Sequence, residues 1–434
     1  MKPREVILLL LIIAAGVLFF HIRTGKIDFE WDEYVNFDWD EFTYEESQVI
    51  EPPFPSALKI INAHGQVEIQ GAETDKITFT LEKKIWRRTE EKAREVADKL
   101  HPFVRRDEDR VILTTNREEF RKRNFETSFR LSVPSGLNVE VSNSYGMVKA
   151  NKVAAADISN RHGRVEASEV NGELLVENSY EEVKLEDIFS RCTVTSRHAD
   201  ISVKRAFGDL EIKGSYGLIV IQSANQKVVI AAPHTEIEGT DLAGPLEISN
   251  SYEEITLHRV GPTKIEGLHS PIEATEVNGS LEISDTYETV RLTSVKGNLR
   301  LSGKNAQVIG SDIRGEDIYI SSSYEDIELA GFDGKTTILN SHGKVTLTPL
   351  ALTGPIEVRC TSAPIFFFWP QGGPYPLEAQ TKHADIDWRL EGEMEVEEKD
   401  GLTTAKIFSG LTGKPGIRLS TTYGDILIDK APLQ

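Results

Sequence analysis

The chain has 434 residues, a formal net charge of −20 and two cysteines. That acidity excludes a nucleic-acid partner, because phosphate binding needs a basic stripe. It also makes the body of the protein a poor ligand for an anionic lipid surface. Cys192 and Cys360 are too far apart in the repeat described below for a disulfide and read as free thiols, Cys192 as small core filler.

The amino terminus carries Val6–Phe20, fifteen apolar residues without a charge, after Lys2 and Arg4. No small-x-small cleavage site follows, so residues 1–22 read as a cytoplasmic tip and an uncleaved signal-anchor transmembrane helix. Cleavage is the alternative, and both readings export the body. Residues 23–56 read as an acidic-aromatic juxtamembrane spacer: positions 27–47 hold nine acids and no base, interleaved with Phe29, Trp31, Tyr34, Phe37, Trp39, Phe42 and Tyr44. Residues 57–136 read as N-terminal capping strands with a short amphipathic helix opened by Thr89.

From residue 137 to 364 the chain repeats. An aromatic turn residue returns about every 18 positions in the column Tyr145, His162, Tyr180, His198, Tyr216, His234, Tyr252, His269, Tyr287, Asn305, Tyr324, His342. Between these turns lie short alternating runs such as Leu281-x-Ile283, Val290-x-Leu292 and Leu299-x-Leu301, which put one face inward. A fixed period of this size is the mark of a solenoid, whose units bury their apolar faces only by stacking. The fold expected is all-β: a single-stranded parallel β-helix with coils of about 18 residues, plus the one N-terminal transmembrane helix.

A second level overlies the first. Tyr turns precede a bulky pair (Val183-x-Leu185, Ile255-x-Leu257), and His turns precede a large-then-small pair (Val165-x-Ala167, Ile237-x-Gly239). Either 18-residue coils alternate so that bulky sits against small, or one coil has 36 residues with a Tyr side and a His side. The acids after the tyrosines favour 18, since 36-residue coils would stack like charges at about 4.8 Å. Residues 365–434 read as irregular coils and a C-terminal cap.

The run Phe129-Arg-Leu-Ser-Val-Pro134-Ser-Gly136-Leu-Asn-Val-Glu-Val141, followed by Tyr145-Gly146-Met147-Val148, His162-Gly163-Arg164-Val165, His342-Gly343-Lys344-Val345 and Tyr423-Gly424-Asp425-Ile426, resembles the bacterial putative-adhesin family of β-strand repeats. The resemblance covers roughly 57–430. It implies a right-handed β-helix on a bacterial envelope protein and carries no catalytic residues.

The His column invites a metal, but alternate coils place these rings about 9.6 Å apart, too far for shared ligation. Only a 36-residue coil would revive that idea. No catalytic, cofactor-binding or metal site is expected. The patch singled out for a partner is Phe366, Phe367, Phe368 and Trp369, with cap packing as the competing role; the Tyr/His column is structural with a possible display role. The functional expectation is a non-catalytic adhesion or scaffold module, single-pass in a bacterial membrane with its body periplasmic or extracellular. It binds an envelope protein or polysaccharide and takes no cofactor. An envelope-stress or signalling accessory is the alternative, and a β-helix carbohydrate-active enzyme the third.

Overall fold

A computed structural model describes residues 39–284, 287–391, 394–408, 411 and 413–431. The anchor segment 6–22 lies outside the described residues, as does residues 23–38 of the expected spacer. Among the described residues no helix is long and apolar enough to cross a membrane.

The repeat folds as a β-solenoid of about 13 turns. Each coil gives one strand to each of two sheets, and each strand pairs in parallel with the strand one coil on. In one sheet the partners Ile158, Val176, Val194, Ile212, Ile230 and Ile248 follow one another at 18-residue steps. The coil is therefore the 18-residue one. In the facing sheet Val183, Ile201, Ile219, Ile237 and Ile255 do the same. Alternation sends these residues inward, and they belong to one continuous buried cluster that runs from Ile50 to Ile428. Leu246, Leu281 and Leu299 lie in it, each about 1% exposed.

The alternation of bulky and small pairs is a packing device. The column Ile221, Gly239, Leu257, Ala274, Leu292, Gly310, Leu329 passes through consecutive coils, so each small residue lies between two large ones. A Cβ on Gly310 would lie 2.6 Å from Leu329 Cδ2 and 2.8 Å from Ile313 Cδ1. The glycines there make room for leucine, as close packing of a continuous interior requires.

Both ends depart from the repeat. Part of the expected spacer is a strand, β1 (Asp40–Ile50). After β2 (Ala57–Ile61) and β3 (Val67–Ala72) comes β4 (Ile77–Arg87), on which β1 pairs antiparallel from Asp40 opposite Arg87 to Ile50 opposite Ile77. The physical reason is period-two alternation: Phe42 and Tyr44 pack on a small second core of Ile85, Ala93, Ala97, Leu100 and Phe125. Glu46 meets the buried Lys83 at 2.7 Å, and Lys83 also donates to the Ala97 carbonyl. That core is closed by helix α1 (Glu90–Ala97), whose N-cap Thr89 accepts from the Lys92 amide.

At the other end Leu377–Thr381 pairs antiparallel with Leu402–Ile407, which pairs antiparallel with Glu395–Lys399.

Replacing Gly310 by leucine should overpack this column and cost about 1–3 kcal/mol, read as a lower urea midpoint; an unchanged midpoint would mean that the column is not tightly filled.

Candidate functional site

The turn column is built from the strand ends outward. In the Asn-Ser-Tyr turns and in Asn340-Ser341-His342 the asparagine is buried and its amide holds the bend: Asn143 Nδ2 donates to the Gly146 carbonyl at 3.1 Å, Asn250 to Glu253 at 3.1 Å and Asn340 to Gly343 at 2.8 Å. The ring follows two residues later. At His198, Tyr216, His234, Tyr252 and His269 the backbone is left-handed, with φ between 55° and 72°, a costly region for bulky residues. Ring stacking offsets that cost.

Ten rings stack without interruption from His64 through Tyr145, His162, Tyr180, His198, Tyr216, His234, Tyr252 and His269 to Tyr287. Their centroids are 4.4–6.0 Å apart and their planes within 12°. His64, from the capping module, is a rung that the period did not point to. Each of the eight interior rings in this run spends both faces on its neighbours and offers solvent only its edge, with its hydroxyl or imidazole nitrogens.

The ladder has two open rungs. Asn305 stands between Tyr287 and Tyr324; the register that pairs Ser284 with Ser302 and Ser302 with Ser321 fixes this order. Tyr324 then stacks on His342 at 4.8 Å. The next rung is Ser362, which binds back to Ser341 through its amide, and beyond it Tyr423 stacks on His383 at 5.2 Å. Of the tyrosines bordering an open rung, Tyr324 and Tyr423 are each 61% exposed and Tyr287 45%, against 46–54% for Tyr145, Tyr180, Tyr216 and Tyr252 with rings on both sides.

A second column escaped the sequence reading. In one sheet a bulge recurs through the regular coils, as where the register passes from Ser168–Glu186 to Val170–Ile188. The skipped residue is left-handed: Asp187, Arg205, Asp241, Arg259, Ser294 and Asp312 have φ of 54–60° except Arg259 at 52°. Their side chains meet across coils, Arg205 to Asp187 and Arg259 to Asp241 at 2.5 Å, and Ser294 to Asp312 at 2.9 Å. Hydrogen bonds from Arg205 and Arg259 hold the Asp187 and Asp241 carboxyls below their ordinary range. The available signal was two polar residues, in place of one, before the third inward side chain, as in Leu185-Glu-Asp-Ile188.

The four consecutive aromatics at 366–369 do not form one patch. Strand alternation buries Phe367 in the core at 0% exposure and leaves Phe366 and Phe368 partly exposed on the opposite face. Phe366 joins Met394, Val396 and Leu427 along a groove of about 660 Å³. Trp369 turns into the cap, 5.7 Å from Trp388 and 6.4 Å from both Phe367 and Phe408. Among the described residues no group of three His, Cys, Asp or Glu could hold a metal ion. Burial pushes the thiols of Cys192 and Cys360 up to about 12, so neither is a nucleophile at neutral pH.

No protein-family profile and no curated protein matches this chain. Two solved structures are similar. One is a putative cell adhesion protein from Clostridium sporogenes, 9% identical, covering 90% of this chain and 100% of that one with a TM-score of 0.19. The other is a putative adhesin from Bacteroides fragilis, 8% identical, covering 89% and 97% with a TM-score of 0.17.

Two outcomes follow from the ladder and the bulge column. Replacing His234 by alanine removes two ring contacts, of 5.1 and 4.9 Å, and should cost about 1–3 kcal/mol at roughly 0.5–1.5 per pair, measured by thermal unfolding. Replacing Arg259 by glutamine should lower stability more at pH 7 than at pH 3. The folded Asp241 carboxyl lies below its unfolded value near 3.9, so its contribution is present above about pH 4 and is lost as pH falls through the folded value. A difference that persisted undiminished at pH 3 would show that the pair is not its source.

Proposed function

We propose that the chain is a non-catalytic binding rod of a bacterial envelope, anchored by residues 6–22 and carrying its solenoid on the outer side of that membrane as an adhesion or scaffold module. The observation that carries this reading is the continuous core with its near-uniform turns. The same groups recur rung after rung on a stiff support, an arrangement that suits repeated weak contacts with a polymer better than chemistry at one point. The apolar, uncharged run Val6–Phe20 supports the anchor, and the absence of a following small-x-small site supports its retention. An envelope polysaccharide or a repetitive envelope protein is the partner class.

The test uses the full-length protein with a C-terminal tag, expressed in bacteria. It should sediment with membranes and lose its tag to protease added to spheroplasts. Immobilised, it should retain purified envelope polysaccharide without shortening it. Recovery in the soluble fraction would remove the anchor; new reducing ends would make it an enzyme; absence of retention would remove the binding role.

A further inference from the structure

We propose that copies of this chain join head to tail, the edge strand Pro102–Arg106 of one copy adding to the edge strand Glu395–Lys399 of the next. This goes beyond the binding-rod reading and does not need it. Both strands belong to the sheet that holds Ile158 and Val176, at its opposite ends. Among the described residues Pro102–Arg106 pairs only with Val111–Thr115, and Glu395–Lys399 only with Leu402–Ile407. Each strand therefore leaves one side of its backbone unpaired, the arrangement to which a further strand adds.

The phase of each free edge follows from its hairpin. The Asp107 amide donates to Arg110 just beyond the first strand, and the Asn116 amide donates to His101 just before it. Bonded and unbonded pairs alternate in an antiparallel ladder, so Val104 and Arg106 turn their amides and carbonyls outward. In the second hairpin Asp400 and Gly401 are both left-handed. That two-residue turn makes Lys399 and Leu402 a bonded pair, so Val396 and Glu398 turn theirs outward. Direction agrees as well. Glu395–Lys399 runs with the repeat strands and Pro102–Arg106 against them, so two copies in line with the same polarity bring these edges together antiparallel. A register with Val104 opposite Val396 then bonds outward groups to one another. It sets Arg105 opposite Glu395 and diagonal to Glu397, both within reach of its side chain. Val396, 55% exposed in the single chain, gains an apolar neighbour.

Charge selects this pairing over an edge meeting its own kind. Glu395, Glu397 and Glu398 are exposed and form no ion pair among the described residues. At the other edge Arg105 reaches Asp107 at 3.0 Å, and Arg106 bonds the Glu51 and Pro53 carbonyls. The acids of β1 share that end but lie on the facing sheet, where Lys84, Arg130 and Lys83 match Glu41, Glu45 and Glu46. A contact between two different patches repeats without closing on itself, so the product is an open file of copies. Residues 23–39 reach at most about 60 Å, which lets anchored rods lie in file along a membrane.

The experiment is sedimentation velocity on the full-length protein with detergent in large molar excess. The parent should give a concentration-dependent series of masses that runs past the dimer, and salt at about 1 M should shift the series down. Arg105→Glu alone, and Glu395→Arg with Glu397→Arg, should each weaken association tenfold or more while unfolding at the parent's temperature. All three changes in one chain reverse both edges and should restore the series; so should mixing the two reversed proteins. A single mass at every concentration would overturn the contact, as would a series that stops at the dimer or that the reversals leave unchanged. A folded triple variant that stays monomeric would show that the two edges do not meet.

Discussion

The structure depends on parallel strand pairing held at a constant register over one dry interior. Each coil is too thin to bury its own valines, isoleucines and leucines, so every coil is stable only through the coils above and below. Register then fixes everything else. Once Val176 lies over Ile158, the bends between strands are forced into columns, and whatever side chain occupies a bend is repeated at the strand spacing. The ring ladder and the acid–arginine bulges are two such columns, placed by the backbone and then filled with side chains that attract their neighbours.

The period, the inward alternation and the ring column were legible because they are written at fixed spacing in apolar and aromatic residues. The choice between 18 and 36 residues per coil was also open to argument, and the pairing of bulky with small residues at Gly239 and Gly310 bears the shorter coil out. Three features were not legible for identifiable reasons. The bulges are made by ordinary polar residues such as Asp187 and Arg205, which nothing in their chemistry marks for left-handed backbone. Strand β1 was hidden by its acids, because a segment rich in Glu and Asp looks solvated until a partner such as Lys83 is known to face it. The run 366–369 looked like one surface, although a strand necessarily divides consecutive residues between two faces. The gap at Asn305 was visible in the column but had no meaning until the rings on both sides were seen to stack.

The two ends bear on a different constraint. A solenoid exposes unpaired strand edges at its termini, and these invite addition of further chains. Here the outermost strand of one sheet at the amino-terminal end is β1, with Asp40, Glu41, Glu45 and Glu46 along it, and that of the other sheet is Pro102–Arg106, with Arg105 and Arg106 exposed. At the other end it is Glu395–Lys399, a strand of three glutamates and a lysine whose residues are all exposed.

The nearest-neighbour character of the stack has a mechanical consequence. Under a pull between the two ends, a coil at the margin can peel away without disturbing the interior of those behind it, because it touches only one of them. Each coil so released spans about 60 Å, from 18 residues at roughly 3.4 Å each, in place of the roughly 4.8 Å it occupied. Such a body yields in steps and recoils in steps, spreading a sudden tug over distance instead of passing it whole from one end to the other.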